Sequence, residues 1–73
     1  MYGRRIKELR EEKGWSQQEL AQRLHCSQRT VSRYELELRD LSTDLLITLC
    51  HMFEVSSDYI LGLEDETGAK KYR

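Results

Sequence analysis

Residues 16–35 read SQQELAQRLHCSQRTVSRYE, and this stretch decides the fold. Ser16 followed three residues later by Glu19 forms the capping-box pattern that begins a helix. Ser27 is a second residue suited to the N-cap position, and only a three-residue interruption, His25-Cys26-Ser27, separates the two helical patterns. We therefore predict one helix that runs to about Leu24 and a second from Gln28 to about Leu36.

Serine and glycine mark the predicted ends of the other helices in a chain that contains no proline. Residues 2–13 carry apolar side chains at helical spacing, and Gly14 is suited to the left-handed position that ends a helix. Ser42 caps a predicted fourth helix, and Ser56 caps a short fifth one that ends at Gly62. No strand-like alternation occurs, so we predict an all-α fold, a compact five-helix bundle.

Length and composition exclude several classes of protein. Seventy-three residues, 38% hydrophobic and 34% charged, suffice for one small domain, which we place at residues 1–63 with a polar C-terminal tail at 64–73. No stretch approaches the roughly 20 apolar residues that cross a bilayer. Two cysteines without CxxC spacing fit a reducing compartment. We expect a soluble cytoplasmic protein that does not bind a membrane.

The net charge of −1 hides an uneven distribution along the chain. Residues 1–33 carry eight Lys and Arg against four acidic side chains, whereas residues 34–73 carry four against nine. This asymmetry suggests an anionic partner for the basic first half. Charges on small soluble domains are also scattered unevenly by chance, so charge alone leaves the question open.

Two helices joined by a three-residue turn describe a helix-turn-helix. In the second of these helices, Val31 and Tyr34 point inward at i, i+3 spacing. One outward stripe then holds the polar residues Gln28, Arg29, Ser32 and Arg33. Glutamine pairs bidentately with adenine N6 and N7, and arginine with guanine O6 and N7. The stripe therefore has the donors and acceptors that reading a DNA major groove requires.

The sequence around the turn resembles a known family. The similarity to the phage-repressor (Cro/XRE-type) family of bacterial helix-turn-helix regulators is carried by SQQELAQRL at 16–24, Ser27, TVSRYE at 30–35, RRIKELR at 4–10 and FEVSSDYILG at 53–62. The resemblance implies a lambda-repressor-like DNA-binding domain that represses or activates transcription. It also implies a homodimer on a two-fold symmetric operator, in a protein that is nucleoid-associated in bacteria or encoded by a phage.

The resemblance assigns site residues position by position. The family's base-contacting positions are matched by Gln28, Arg29 and Arg33, and Ser32 lies among them. Gln17, at the start of the second helix, matches a phosphate-contacting position, where free backbone N–H groups and the positive end of the helix dipole lie. The other residues that we assign to phosphate are Gln18, Ser27 and Arg39.

One further pair is assigned by the resemblance to structure rather than to DNA. Arg10 and Glu35 match positions that commonly form a partly buried ion pair between the first and third helices. We therefore expect Arg10 to contribute mainly to stability.

The sequence departs from the family pattern in three places. His25 stands where the turn normally has glycine, and histidine tolerates a positive φ at some cost in strain. The residues LEL at 36–38 replace the usual Asn-Gly after the third helix, and we predict an extra helical turn there, which would displace Arg39. The proline that commonly precedes the fourth helix is also absent.

Metal binding and catalysis find no support in the sequence. His25-Cys26 and Cys50-His51 are adjacent pairs, whereas tetrahedral zinc sites take ligand pairs about two to four residues apart. There is no Gly-rich phosphate loop, no nucleophile with a recognisable base and no HExxH motif. We expect neither a metal nor a cofactor, and we expect no enzymatic activity.

A second class of function stays open at this point. A protein-interaction module of the same fold, such as an antitoxin or antirepressor, would read little DNA. Its acidic second half, with Leu61 and Leu63, would then form the surface for a protein partner. In that case Arg29 and Arg33 would be ordinary solvated residues. DNA binding with a steep negative salt dependence distinguishes the two hypotheses.

Overall fold

The computed structural model describes residues 2–63, which form five helices. The helices are α1 (Tyr2–Glu12), α2 (Gln17–Arg23), α3 (Gln28–Glu35), α4 (Thr43–Phe53) and α5 (Ser57–Leu61). No strand occurs among the described residues, so the prediction of an all-α five-helix fold is confirmed. The predicted tail at 64–73 lies outside the described residues.

Serine begins each helix after α1. The hydroxyls of Ser16, Ser27, Ser42 and Ser56 each accept a hydrogen bond from the backbone N–H three residues on, at 3.0–3.2 Å. At α2 the Glu19 carboxylate also accepts from the Ser16 N–H at 2.8 Å, which completes the predicted capping box. Each cap satisfies a backbone donor that the helix leaves unpaired, and such a cap contributes about 1 kcal/mol.

A left-handed residue ends every one of the five described helices. The residues with positive φ are Gly14, His25, Glu37, Glu54 and Gly62. Glycine adopts this conformation without steric cost, whereas a residue with a Cβ pays about 1–2 kcal/mol. The predicted helix stops at Gly14 and Gly62 and the predicted positive φ of His25 are confirmed.

The predicted extra helical turn after α3 is wrong. The helix ends at Glu35, and Glu37 takes a φ of 59°. The Glu37 N–H donates to the Tyr34 carbonyl at 3.1 Å, and the Leu38 N–H donates to the Arg33 carbonyl at 2.9 Å. These two bonds form a Schellman motif, which terminates the helix and satisfies its last carbonyls. Glu37 therefore occupies the position that a glycine would usually fill.

All five helices contribute to one core. Its fully buried side chains are Leu20, Val31, Leu49, Val55 and Ile60. Close packing also extends to the backbone, because a Cβ added to Gly3 would lie 2.2 Å from the Glu35 carbonyl oxygen. Only glycine allows the start of α1 to approach the end of α3 this closely.

None of the helices within residues 2–63 combines the length and the hydrophobicity that a transmembrane span requires.

Candidate nucleic-acid interface

Helix α3 presents the predicted polar stripe on its outer face. Gln28, Arg29 and Arg33 are exposed and Ser32 is half-buried, while Val31 on the opposite face is buried in the core. From residue 28 to residue 33 the helix rises roughly 7.5 Å, which is about the length of two stacked base pairs. The core therefore fixes one face of α3 and leaves the other face free to enter a groove.

A hydrogen bond joins the first residues of α2 and α3. Gln28 donates from Nε2 to Oε1 of Gln17 at 3.1 Å. Gln17 in turn donates from its own Nε2 to Oε1 of Glu35 at 3.0 Å. The sequence reasoning assigned Gln17 and Gln28 separate roles and missed this connection. The two residues are eleven positions apart, and nothing in their spacing indicates the contact.

Arg10 and Glu35 form a buried ion pair at the seam between α1 and α3. Arg10 Nε lies 2.7 Å from Glu35 Oε2, and Arg10 Nη2 lies 3.3 Å from Oε1. A third donor, Arg10 Nη1, reaches the Trp15 carbonyl oxygen at 2.7 Å. The hydrogen bond to Glu35 raises the pKa of the Arg10 guanidinium, against the lowering effect of burial. The pair ties α1, the turn before α2 and the end of α3 together.

The residues assigned to phosphate lie at the starts of α2 and α3 and in the loop after α3. Gln18 and Ser27 are exposed, although the Ser27 hydroxyl is already used as an N-cap and lies 3.0 Å from the Thr30 hydroxyl. Arg39 is exposed, with its guanidinium carbon 5.7 Å from the centre of the Tyr34 ring. The Arg39 carbonyl accepts a hydrogen bond from the Tyr2 hydroxyl at 2.7 Å, so α1 holds this loop in place.

An open groove borders the outer face of α3. It is lined by Arg4 and Lys7 from α1, Gln17 from α2, Ser32 from α3 and Leu36 just after α3, together with Arg10, Glu35 and Glu37. Arg4 also forms an ion pair with Glu8, one turn further on, at 3.2 Å. The sequence reasoning counted Arg4 and Lys7 in the basic first half but gave them no site. The structure places both beside residues of the predicted reading surface.

Comparison with known proteins identifies the family. Residues 6–60, which span most of the chain, match the sequence model of the family described as "Helix-turn-helix". The chain belongs to the Cro/XRE-type helix-turn-helix family. It is similar to the HTH-type transcriptional regulator ImmR of Bacillus subtilis (strain 168), with 41% identity over 68 residues. It is also similar to the uncharacterized HTH-type transcriptional regulator YobD of the same organism, with 33% identity over 73 residues.

The chain spans only part of these relatives. The alignment with ImmR covers 93% of this chain and 53% of ImmR, and the alignment with YobD covers 100% of this chain and 65% of YobD. The matched region of the Cro/XRE-type domain runs from the first turns of α1 into α5, so it includes the whole outer face of α3.

The cysteines of this Cro/XRE-type domain lie in apolar surroundings. Burial raises the pKa of the Cys50 thiol, and burial also raises that of Cys26, where the nearby charge of Arg39 acts in the opposite direction. Raised pKa values reduce the fraction of reactive thiolate at neutral pH. Across residues 2–63, no three His, Cys, Asp or Glu side chains come together in a group that could hold a metal ion.

Proposed function

We propose that this chain is a sequence-specific DNA-binding transcriptional regulator, acting as a repressor, and that α3 is its recognition helix. One observation carries the proposal: Gln28, Arg29, Ser32 and Arg33 share an outer face whose opposite side is fixed in the core. A helix placed in a major groove reads bases with such a face. ImmR and YobD are both named HTH-type transcriptional regulators, which supports the same role.

The proposed base contacts follow from side-chain chemistry. Gln28, at the first residue of α3, pairs with adenine through one donor and one acceptor. Arg29 and Arg33 pair bidentately with guanine, and Ser32 contacts a base edge between them. Residues near the start of a recognition helix reach deepest into the groove, so Gln28 and Arg29 carry most of the specificity.

The proposed phosphate contacts surround this stripe. Gln17 retains one hydrogen on Nε2 beyond the one that it donates to Glu35, and Gln18 and Ser27 lie exposed near the same surface. Arg39 contacts the DNA backbone from the loop after α3, and Lys7 adds positive charge from the groove beside the outer face of α3. Such contacts position a protein on the duplex without reading sequence.

We further propose a homodimer on a two-fold symmetric operator, in a cytoplasmic protein that is nucleoid-associated in bacteria or encoded by a phage. Two copies would place their α3 helices in successive major grooves about 34 Å apart. The exposed apolar side chains Ile47, Leu61 and Leu63 belong to the acidic half of the chain and suit a protein contact better than a DNA contact. The role is one of binding rather than catalysis.

Selection of bound sequences from a random DNA pool tests the proposal. We expect a two-fold symmetric consensus with half-sites one helical turn apart. Affinity for that consensus should fall steeply with salt, with a log–log slope of about −0.9 for each phosphate contacted. A reporter gene carrying the consensus in its promoter then tests repression. Absence of any DNA binding at ~50 mM salt would contradict the proposal and favour a protein-interaction module, such as an antitoxin or antirepressor.

A further inference from the structure

We infer that Tyr2, in the first turn of α1, is a positioning residue for the phosphate contact of Arg39, because its hydroxyl holds the backbone from which Arg39 extends. Residues 36–42 connect α3 to α4 and are called the α3–α4 loop below. The inference rests on the proposed function and deepens it. It adds to the residues that determine DNA affinity a side chain of α1 that acts only through this loop.

The first turn of α1 and the α3–α4 loop exchange hydrogen bonds in both directions. The Tyr2 hydroxyl donates to the Arg39 carbonyl oxygen at 2.7 Å, and the Gly3 N–H donates to Glu37 Oε2 at 3.1 Å. The residue before Tyr2 is a methionine rather than a serine, so Glu37 supplies to α1 an acceptor of the kind that the serine caps supply to the other four described helices. The start of α1 and the loop therefore fix each other's position.

The Tyr2 side chain is well suited to hold a carbonyl group. Its ring packs against the hydrophobic core, and its hydroxyl reaches the α3–α4 loop. Burial, together with the nearby carboxylates of Glu37 and Asp40, raises the pKa of the Tyr2 phenol above its ordinary value. The hydroxyl therefore keeps its hydrogen at neutral pH and remains a donor to the Arg39 carbonyl.

The hydrogen bond from Tyr2 lies where the α3–α4 loop leaves the support of α3. Up to Leu38 the backbone is bonded to the helix, since the Leu38 N–H donates to the Arg33 carbonyl at 2.9 Å. For residues 39–41, the bond from Tyr2 is the one hydrogen bond that the described part of the chain gives to the backbone. Removing it releases the segment that carries Arg39, and a released segment samples more conformations.

The Arg39 side chain is available to a phosphate. It is exposed, its guanidinium carbon lies 5.7 Å from the centre of the Tyr34 ring, and within residues 2–63 it forms no ion pair. The apparent affinity of a contact falls with the fraction of chains that hold the binding conformation. Because a phosphate contact carries no sequence information, the loss should be the same on every DNA sequence.

The binding experiment uses Tyr2→Phe, which keeps the packed ring and removes the hydroxyl. The matched control is Tyr59→Phe, the same chemical change in α5, away from the α3–α4 loop. In Tyr2→Phe the affinity for operator and for random DNA should fall equally, by about two- to tenfold, with the base preferences unchanged. The log–log salt slope should become less steep by at most about 0.9, the value of one phosphate contact. Tyr59→Phe should retain the wild-type affinity and slope.

A double-mutant cycle tests whether Tyr2 acts through Arg39. In the Arg39→Ala chain the phosphate contact is already absent, so adding Tyr2→Phe should cause no further loss of affinity. The same fold loss from Tyr2→Phe with and without Arg39 would overturn the inference, because Tyr2 would then act on binding by another route. An unchanged DNA affinity in Tyr2→Phe alone would also overturn it.

A second measurement needs no DNA and separates this inference from the proposed function. In NMR spectra of the free chain, Tyr2→Phe should shift the Arg39 carbonyl carbon and lower the backbone order parameters of residues 39–41 from about 0.85 toward 0.6, and Tyr59→Phe should do neither. An unchanged Arg39 carbonyl in Tyr2→Phe would overturn the inference whether or not the chain binds DNA. If the carbonyl shifts and the wild-type chain binds no DNA at ~50 mM salt, the proposed function fails and the hold of Tyr2 on the α3–α4 loop stands.

Discussion

The inner and outer sides of α3 use charged residues in opposite ways. On the inner side, Glu35 and Arg10 are largely buried, and each satisfies the other at close range. On the outer side, Arg29 and Arg33 are exposed, and within residues 2–63 the structure gives neither of them an ion pair. A buried ion pair holds helices in register, and an exposed arginine is available to a partner. The comparison shows that burial and an ion-pair partner, rather than residue type, decide whether a charged residue stabilises the fold or is available to bind a partner.

Removing the inner carboxylate should have the largest effect. Glu35→Ala leaves the Arg10 guanidinium buried without its counter-charge, and we expect the free energy of unfolding to fall by about 3–5 kcal/mol. Urea denaturation followed by circular dichroism measures this loss. The matched control is Glu8→Ala, which breaks the exposed Arg4–Glu8 pair at 3.2 Å and should cost only about 0.3–0.5 kcal/mol. Equal losses in the two variants would show that the buried pair does not fix the seam.

Removing an outer arginine should change binding and leave stability nearly unchanged. Arg33→Ala should weaken operator binding by about 1–3 kcal/mol and relax the preference at one base pair. Its free energy of unfolding should stay within about 0.5 kcal/mol of the wild-type value. Titration of labelled operator DNA and urea denaturation measure the two quantities.

The control for Arg33→Ala is Arg23→Ala, which should show the reverse pattern. The Arg23 guanidinium carbon lies 4.1 Å from the centre of the Trp15 ring, and Arg23 is not among the residues that line the groove beside α3. Its loss should lower stability by about 0.5–1 kcal/mol and leave DNA affinity unchanged. An equal loss of affinity on operator and random DNA in Arg33→Ala would instead mark Arg33 as a phosphate contact.

Local chemistry explains which parts of the fold were predictable. Each serine cap interacts with the backbone three residues on, so Ser27 and its counterparts are visible in sequence. The end of α3 was missed because Glu37 is not a residue type that usually adopts a positive φ. Its conformation accompanies contacts from the far end of the chain, including the Gly3 N–H, which donates to Glu37 Oε2 at 3.1 Å. Contacts between distant residues leave no such local pattern.

The same distinction applies to the candidate site. The outer stripe of α3 follows from helical periodicity, and the Arg10–Glu35 pair follows from the family resemblance. The connection from Glu35 through Gln17 to Gln28 depends on how α2 and α3 cross, which spacing along the chain does not specify. Side-chain hydrogen bonds between helices therefore had to be seen in the structure.

A substitution at Ser27 tests whether one residue can both stabilise the fold and contact DNA. It caps α3 and is also proposed to contact phosphate. Ser27→Ala should lower the free energy of unfolding by about 1 kcal/mol and should also weaken binding to all DNA sequences. Ser42→Ala is the matched control, because Ser42 makes the same cap at α4 with a hydrogen bond of 3.1 Å. It should lose the same stability without losing affinity, and equal affinities in the two variants would remove Ser27 from the interface.

The smallest expected effect lies at the end of α4 and changes stability alone. Glu54 has a φ of 57°, a conformation that costs a residue with a Cβ about 1–2 kcal/mol. Glu54→Gly removes this cost, but glycine also raises the conformational entropy of the unfolded chain, which offsets part of the gain. The net stabilisation should be about 0.5–1 kcal/mol in thermal or urea denaturation. Glu54→Ala keeps the Cβ and should not stabilise the fold. Because this turn forms no part of the outer face of α3, operator affinity should stay at the wild-type value in both variants. A change in affinity would show that stability and binding are coupled beyond the seam at Glu35.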